Sequence, residues 1–169
     1  MQVRCDIIFL VLGTLYEKQN CSAARALEVV GERWSLLILR DALFSGKTRF
    51  SDFQRSLGVA PNILATRLDG FVAEGIMEVR PYGPGNRHRE YVLTPKGLDF
   101  KPVVVALTMW GDRWAAPNGP PVMFEHSGCG GKIGQRLECA RCNHIVKSVD
   151  VVARATRRPG RRQGSTGHD

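Results

Sequence analysis

The sequence contains no apolar run long enough to cross a membrane. Its N-terminal apolar run, residues 7–15, is far shorter than the roughly 20 residues that a membrane-spanning helix needs. This run also makes a poor signal peptide, because Asp6 interrupts the basic leader and no small-residue cleavage site follows it. We therefore expect a cytoplasmic protein with no membrane partner, in which residues 1–19 form an N-terminal extension or helix.

The sequence also lacks an even set of cysteines. It has five, three of which cluster near the C-terminus: Cys5, Cys21, Cys129, Cys139 and Cys142. An odd number with this spacing argues against the disulfide framework of a small secreted protein. A metal site that leaves two thiols elsewhere in the chain fits the pattern better.

Acidic residues are fewer than basic ones, 16 against 24, which gives a net charge of +8. A basic balance favours polyanionic partners such as nucleic acid. Residues 131–169 carry +6 of this charge, however, whereas residues 61–130 are balanced. The charge alone therefore does not identify the central part of the chain as a DNA-binding region.

Residues 49–79 show the apolar spacing of two helices followed by a strand. Between the two helices, Gly58 is suited to end the first, and Pro61 is suited to begin the second at its first position. A break this short sets the helices at a steep angle, as in a DNA-binding helix-turn-helix. The apolar faces are formed by Phe50, Phe53 and Leu57 and then by Leu64, Leu68, Phe71 and Val72.

Strand-like segments at residues 76–80 and 87–93 flank a turn-rich tip at residues 81–86, which predicts a hairpin with a basic shoulder. A helix-turn-helix followed by such a hairpin is a winged helix. Upstream of it, we expect a short helix over residues 21–30, capped by Ser22, and a central buried helix over residues 32–44.

Thr94 and Pro95 predict the start of a further helix, which Pro102 should kink or restart. Its long aromatic stripe makes it a candidate dimer surface, although it could instead fold back on its own domain. The stripe comprises Phe100, Val103, Val104, Leu107, Trp110 and Trp114.

The predicted fold class is therefore α+β and mainly α. A winged helix-turn-helix DNA-binding domain occupies residues 20–94, and a flanking C-terminal dimerisation helix occupies residues 95–116. A small Cys-rich β module over residues 117–153 follows a Pro/Gly-rich linker, and residues 154–169 form a disordered basic tail. The arginine pairs of this tail either contact DNA non-specifically or remain solvated.

Several motifs occur in order: a cysteine before A-R-A-L, then G-x-R-W-x-L-L-I-L-R, P-N-x-L-x-x-R-L, Y-x-L-T-P-K-G and W-G-x-R-W. Through them residues 20–114 closely resemble the HxlR-type winged-helix transcriptional regulators of bacteria, within the MarR-like superfamily. The resemblance implies a homodimer that binds a pseudo-palindromic operator, most often as a repressor, and not an enzyme. It also implies a regulator that answers a small-molecule or oxidant effector.

Besides Ser22, which stands where many relatives have a proline after the cysteine, two residues at the recognition helix depart from the family pattern. Ala60 stands where relatives commonly have a serine cap for the recognition helix, which removes about 1 kcal/mol of stabilisation. Gly70 lies within the same helix and costs about 1 kcal/mol relative to alanine. Neither change removes a side chain that we expect to face DNA.

The face of the second helix opposite its apolar residues carries Asn62 and Thr66, with Arg67 on the flank. Asn and Arg can form the bidentate contacts that distinguish bases, so we expect these three residues to enter the major groove. We expect backbone phosphates to be held by a second group of residues, in which the wing could also reach the minor groove. That group comprises Arg49, Ser51, Arg87, His88 and Arg89.

Cys21 precedes a helix whose partial positive charge favours the thiolate, with Arg25 one turn later. The position suits a redox-sensor thiol, and the matching cysteine senses oxidants or electrophiles in some relatives. The alternative is a packed thiol next to the dimer interface.

The C-terminal cysteines have the spacing of a structural zinc site. Cys139 and Cys142 form a C-x2-C pair, and His126 and Cys129 repeat this spacing with an imidazole, which together gives a Cys3His ligand set for Zn²⁺. His144 is a rival fourth ligand. The alternatives are a redox-active Cys139–Cys142 pair, which would make the chain a thiol/disulfide protein, and a ribbon without metal. Besides the thiol/disulfide protein, the other functional alternative to a regulator is a protein-interaction adaptor whose winged helix does not read DNA.

Overall fold

The computed structural model describes Tyr16 and residues 19–154, apart from the side chain of Asn86. The expected N-terminal extension, except Tyr16 and Gln19, and the basic tail beyond Arg154 lie outside the described residues. The described residues fall into two compact units, the first ending at Val122 and the second beginning at Met123.

The first unit contains six helices in its described part. They are α1 (Ser22–Val30), α2 (Ser35–Ser45), α3 (Phe50–Leu57), α4 (Pro61–Ala73), α5 (Pro95–Leu98) and α6 (Lys101–Trp114). Between α4 and α5 lie the antiparallel strands β1 (Met77–Tyr82) and β2 (His88–Leu93), joined by a 3-10 turn over Pro84–Asn86. This is the expected mainly helical α+β winged helix-turn-helix fold.

The turn between α3 and α4 forms as the sequence predicts. Gly58 adopts the left-handed conformation (φ 62°) and donates its N–H to the Gln54 carbonyl, which ends α3. Pro61 begins α4 with Ala60 as its N-cap, and Val59, which lies between Gly58 and Ala60, is buried in the core. The glycine allows the chain to reverse while the valine fixes the turn to the helices.

The core lies where α2, α3 and α4 meet the base of the hairpin. Its fully buried members include Ile38 and Leu39 from α2, Phe53 from α3, and Leu64 and Leu68 from α4. Burial of each such side chain contributes about 1.5–3 kcal/mol. The core therefore holds one face of α4 and leaves its opposite face to solvent.

Two helix starts differ from the sequence prediction. The central helix begins at Ser35 rather than Glu32, because residues 32–34 form a turn in which Ser35 N–H bonds to the Glu32 carbonyl. The predicted cap Ser22 is instead the first residue of α1, and Cys21 is the N-cap. The predicted restart near Pro102 is observed, because α5 ends at Leu98 and α6 begins at Lys101.

The second unit has two short strands, β3 (Leu137–Glu138) and β4 (Ile145–Val146), which pair antiparallel, and a 3-10 turn over Ser148–Asp150. Among the described residues of both units, no helix is long and apolar enough to cross a bilayer.

Candidate nucleic-acid interface

The N-terminal part of α4 presents its polar side to solvent. Asn62 and Ile63 are exposed, whereas Leu64 on the next position is buried in the core. Thr66 is half-buried, and its hydroxyl donates to the Asn62 carbonyl oxygen at 2.9 Å. The exposed Asn62 amide is therefore able to form hydrogen bonds with base edges. The Thr66 hydroxyl hydrogen is already used, so Thr66 offers a methyl group and acceptor lone pairs rather than a donor.

The side chain of Arg67 is not free on the DNA-facing side of α4, as the sequence suggested, but is largely buried. Its side chain is only 14% exposed, and its Nη2 donates to Glu32 Oε2 at 2.8 Å. Its Nε is buried without a hydrogen-bond partner among the described residues. Arg67 thus joins α4 to the turn between α1 and α2, and this geometry favours a positioning role over the base contact that we expected from the helical wheel.

Arg49 connects the helix-turn-helix to the wing. It is the N-cap of α3, and its guanidinium lies over the ring of Tyr82 at 4.6 Å. Tyr82 in turn contacts His88 across the hairpin, with ring centroids 5.3 Å apart. Ser51, the second residue of α3, is exposed at the same helix start, where the first backbone N–H groups lack intrahelical acceptors.

The edge of the wing is extended by the segment before α3. Arg49 forms a β-bridge with Glu90, and Tyr91 donates its N–H to the Thr48 carbonyl at 2.7 Å. The Thr48 hydroxyl also bonds to the Glu90 carboxylate at 3.1 Å. The start of α3 and the wing are therefore one hydrogen-bonded body.

The wing carries exposed basic side chains. Arg87, His88 and Arg89 are all exposed, as the sequence predicted for a phosphate-facing hairpin. Arg80 is less available because it pairs with Glu78 at 2.6 Å. Sequence reasoning missed Tyr82, whose signal was an aromatic ring within the turn-rich tip.

Tyr91 links the wing electrostatically to α4. Burial raises the pKa of the Tyr91 phenol, the nearby Asp69 carboxylate raises it further, and the Arg89 charge opposes both. Asp69 belongs to α4 and Arg89 to β2, so helix and wing act on the same phenol. The Tyr91 phenol therefore lies within electrostatic reach of a carboxylate on α4 and a guanidinium on β2.

Cys21 is exposed at the N-cap of α1. The backbone N–H groups of Ala24 and Ala23 lower the pKa of its thiol; slight desolvation opposes this, and the Arg25 charge assists it weakly. Arg25 itself is engaged by Glu28 at 2.8 Å and by the Tyr16 carbonyl. The thiol is therefore accessible and inclined to ionise.

A cleft of about 280 Å³ lies between α1 and the segment that joins α5 to α6. Its walls are mainly apolar, with Val29, Val30 and Phe100 among them, and Lys96 and Asp99 add charge. This volume is at the lower end for pockets that bind small molecules.

The four predicted zinc ligands lie in two pairs in the second unit. His126 Nδ1 is 3.2 Å from Cys129 Sγ. The backbone N–H groups of Cys142 and Arg141, and then the Cys142 side chain, lower the pKa of Cys139. Across the described residues, no three His, Cys, Asp or Glu side chains are grouped closely enough to hold a metal ion.

Comparison with known proteins identifies the family. The profile of the HxlR-like helix-turn-helix family matches residues 29–119, more than half of the chain. The chain belongs to the HxlR family. An uncharacterized HTH-type transcriptional regulator of Mycobacterium tuberculosis is 40% identical over 132 residues, which cover 78% of this chain and 83% of the relative.

Solved structures that resemble this chain are those of transcription regulators. The crystal structure of PA1607, a candidate transcription factor, superposes with a TM-score of 0.73 at 37% identity and covers 83% of this chain and 98% of that protein. The reduced form of the redox regulator HypR superposes with a TM-score of 0.51 at 26% identity over 55% of this chain and 92% of HypR. The chain is thus a helix-turn-helix transcriptional regulator and not an enzyme, which does not favour the thiol/disulfide or adaptor alternatives.

Proposed function

We propose that this HxlR family member is a homodimeric repressor that binds a pseudo-palindromic operator. The observation that carries the proposal is the contact of Arg49 with Tyr82. It ties the basic start of α3 to the basic wing, so that both can follow one DNA backbone while α4 enters the major groove.

The residues divide into two roles. Arg49, Arg87 and Arg89 contact phosphates, with His88 beside them, and Ser51 adds a hydroxyl at the helix N-terminus. Asn62 reads a base edge, and adenine is the base whose N6 and N7 match its amide. Thr66 packs its methyl group near the groove floor, where a thymine methyl would complement it.

The homodimer is supported by the exposed face of α6. Val103 and Leu107 are each 48% exposed, Trp110 is 62% exposed and Trp114 is 67% exposed. An apolar face of this extent on one helix marks an interaction surface. A second copy related by two-fold symmetry would cover it and present two α4 helices to two half-sites.

Repression requires only that the dimer occupy its operator. The proposed α6 dimer face and the proposed DNA contacts of α3, α4 and the wing are sufficient for this. Cys21 is the proposed point of control, because an accessible thiol of lowered pKa is the form that oxidants attack. The similarity to HypR, a redox regulator with reduced and oxidised structures, supports this assignment. Hydrogen peroxide, which oxidises a single thiolate to a sulfenic acid and releases hydroxide, should weaken operator binding by the parent protein and leave operator binding by Cys21→Ser unchanged.

The deciding experiment measures binding to DNA from upstream of the protein's own gene and to a random duplex. We expect a dimer in light scattering, a footprint with two half-sites about one helical turn apart, and lower transcript from the bound promoter. Affinity should fall linearly with salt on logarithmic axes. Equal binding to both duplexes, or a monomer at the concentrations that bind DNA, would contradict the proposal.

A further inference from the structure

The first hairpin of the second unit ends in a turn that brings His126 and Cys129 together. His126 N–H donates to the Gly131 carbonyl at 2.8 Å, which closes the arms of the hairpin. Gly130 adopts a left-handed conformation (φ 68°) and donates its N–H to the His126 carbonyl at 2.8 Å. The turn holds the imidazole and the thiol on one side of the loop, 3.2 Å apart.

The second hairpin repeats this turn residue for residue. Cys139 N–H donates to the His144 carbonyl at 3.0 Å, and Asn143 donates its N–H to the Cys139 carbonyl at 2.8 Å. Asn143 has a φ of 55° and is the non-glycine residue with positive φ among those described. Two consecutive hairpins therefore have the same type of turn, with a residue of positive φ at its fifth position. Each turn places potential metal ligands at its first and fourth positions.

The described part of this unit has no core to hold the two hairpins together. Between Met123 and Arg154 no side chain is buried, and Ile133, Leu137 and Ile145 are exposed. Modules below about 70–80 residues rarely gain enough stability from a single core and commonly add a disulfide, a metal or a partner. The hairpins thus require a cross-link that their apolar side chains do not supply.

We propose that Zn²⁺ is this cross-link and that each turn provides two of its four ligands. Three thiolates and one imidazole form a tetrahedral structural site of the kind zinc prefers. In the structure the two pairs remain separate halves, so metal binding would draw the hairpins together and couple zinc affinity to the folding of the unit. The ligands are His126, Cys129, Cys139 and Cys142.

The turn geometry also selects His126 over its rival. His144 occupies the position equivalent to Gly131, on the returning arm, where its backbone carbonyl closes the hairpin. His126 occupies the position equivalent to Cys139, the first ligand of the turn. The repeat therefore assigns the imidazole ligand to His126.

The test is a zinc analysis of the purified full-length chain under reducing conditions by mass spectrometry. The parent protein should carry about one zinc per chain. Cys129→Ser, Cys142→Ser and His126→Ala should each bind zinc at least tenfold more weakly in competition with a chromophoric chelator. Cys21→Ser and His144→Ala are the matched controls and should bind like the parent.

Limited proteolysis provides a second readout that does not depend on DNA binding. A chelator should expose residues 123–154 of the parent to cleavage and leave α1 to α6 intact. A parent chain that holds less than about a tenth of a zinc after incubation with Zn²⁺ would overturn the proposal. Unchanged zinc affinity in Cys129→Ser, or loss of zinc in His144→Ala with retention in His126→Ala, would overturn the ligand assignment.

Discussion

Asn62 and Arg67 belong to the same helix but face different environments, which predicts different effects of their removal. Asn62 is exposed at the start of α4, whereas the Arg67 guanidinium is largely buried against Glu32. Asn62→Ala should lower operator affinity by about 1–3 kcal/mol and leave random-duplex affinity unchanged. Fluorescence anisotropy with both duplexes measures the ratio, with Asn118→Ala outside the helix-turn-helix as control.

Arg67→Ala should weaken binding to the operator and to the random duplex to a similar degree, because it removes an ion pair that orients α4 rather than a base contact. It should also lower the free energy of unfolding by about 1–3 kcal/mol, since truncation leaves partner groups unpaired. Urea unfolding followed by circular dichroism measures this loss. A selective loss of operator binding with unchanged stability would restore Arg67 to the base-reading set.

Asp41 predicts a pH dependence of stability. Its carboxylate is 2% exposed in α2 and accepts hydrogen bonds from Arg40 at 2.7 Å and Lys47 at 2.9 Å. Burial raises the pKa of Asp41, but the Ser56 side chain, Lys47 and Arg40 outweigh burial and lower the pKa overall. A lowered folded-state pKa stabilises the protein above the unfolded-state pKa, about 3.9, and this stability is lost as the pH falls through the folded-state pKa.

Asp41→Asn should therefore destabilise the protein by about 1–3 kcal/mol at pH 7 and reduce the loss of stability on acidification. Urea unfolding at pH 7 and near the acid limit of folding measures both effects. Asp99→Asn, an exposed carboxylate, is the matched control and should follow the parent curve. An unchanged acid slope in Asp41→Asn would show that other carboxylates produce it.

At the scale of the elements, α5 fixes the base of the wing through one close approach. A Cβ added at Gly97 would lie 2.3 Å from the Ile76 carbonyl oxygen, which already accepts the Thr94 N–H and hydroxyl. Because these bonds hold the carbonyl in place, Gly97→Ala should cost about 1–3 kcal/mol of stability. Thermal unfolding measures it, with Gly111→Ala in α6 as a control that meets no atom within 4 Å.

The elements that local patterns determine were predictable from the sequence. Apolar spacing located α3 and α4, Gly58 and Pro61 located their turn, and Pro102 located the restart of α6. The start of α2 was not predictable from the sequence. Residues 32–34 are compatible with either a helix or a turn, and tertiary contacts decide between the two conformations.

Contacts between distant residues account for what the sequence left out of the site. The helical wheel placed Arg67 on the flank of the face that carries Asn62, but only the fold brings Glu32 to its guanidinium. Likewise, the bridge between Arg49 and Glu90 involves a single residue pair, which leaves no strand-like pattern before α3. The sequence was sufficient to predict which residue types form the site and which helix carries them. It was not sufficient to predict the side-chain pairs that show which residues are free to contact DNA and which position other residues.

For the whole molecule, the orientation of the two winged helices in the proposed homodimer would depend on α6. One copy offers a single α4 to a half-site, and a two-fold dimer makes the second half-site contact effectively intramolecular. Such coupling raises affinity about 10²–10⁴-fold without any new protein–DNA contact. The oligomeric state and the operator affinity should therefore change together when α6 is altered.

Leu107→Glu tests this coupling, because it places a charge at the centre of the exposed α6 face without touching the buried core. The variant should be monomeric in light scattering, fold with parent-like circular dichroism, and lose about 10²–10⁴-fold in operator affinity. Binding to a single half-site should change little, since α4 and the wing are untouched. Val79→Glu, which charges an exposed apolar residue of β1, should remain dimeric. If Leu107→Glu stayed dimeric, the α6 face would have to be assigned to another partner, because a buried glutamate at a self-association seam carries a desolvation cost that a dimer of ordinary size does not tolerate.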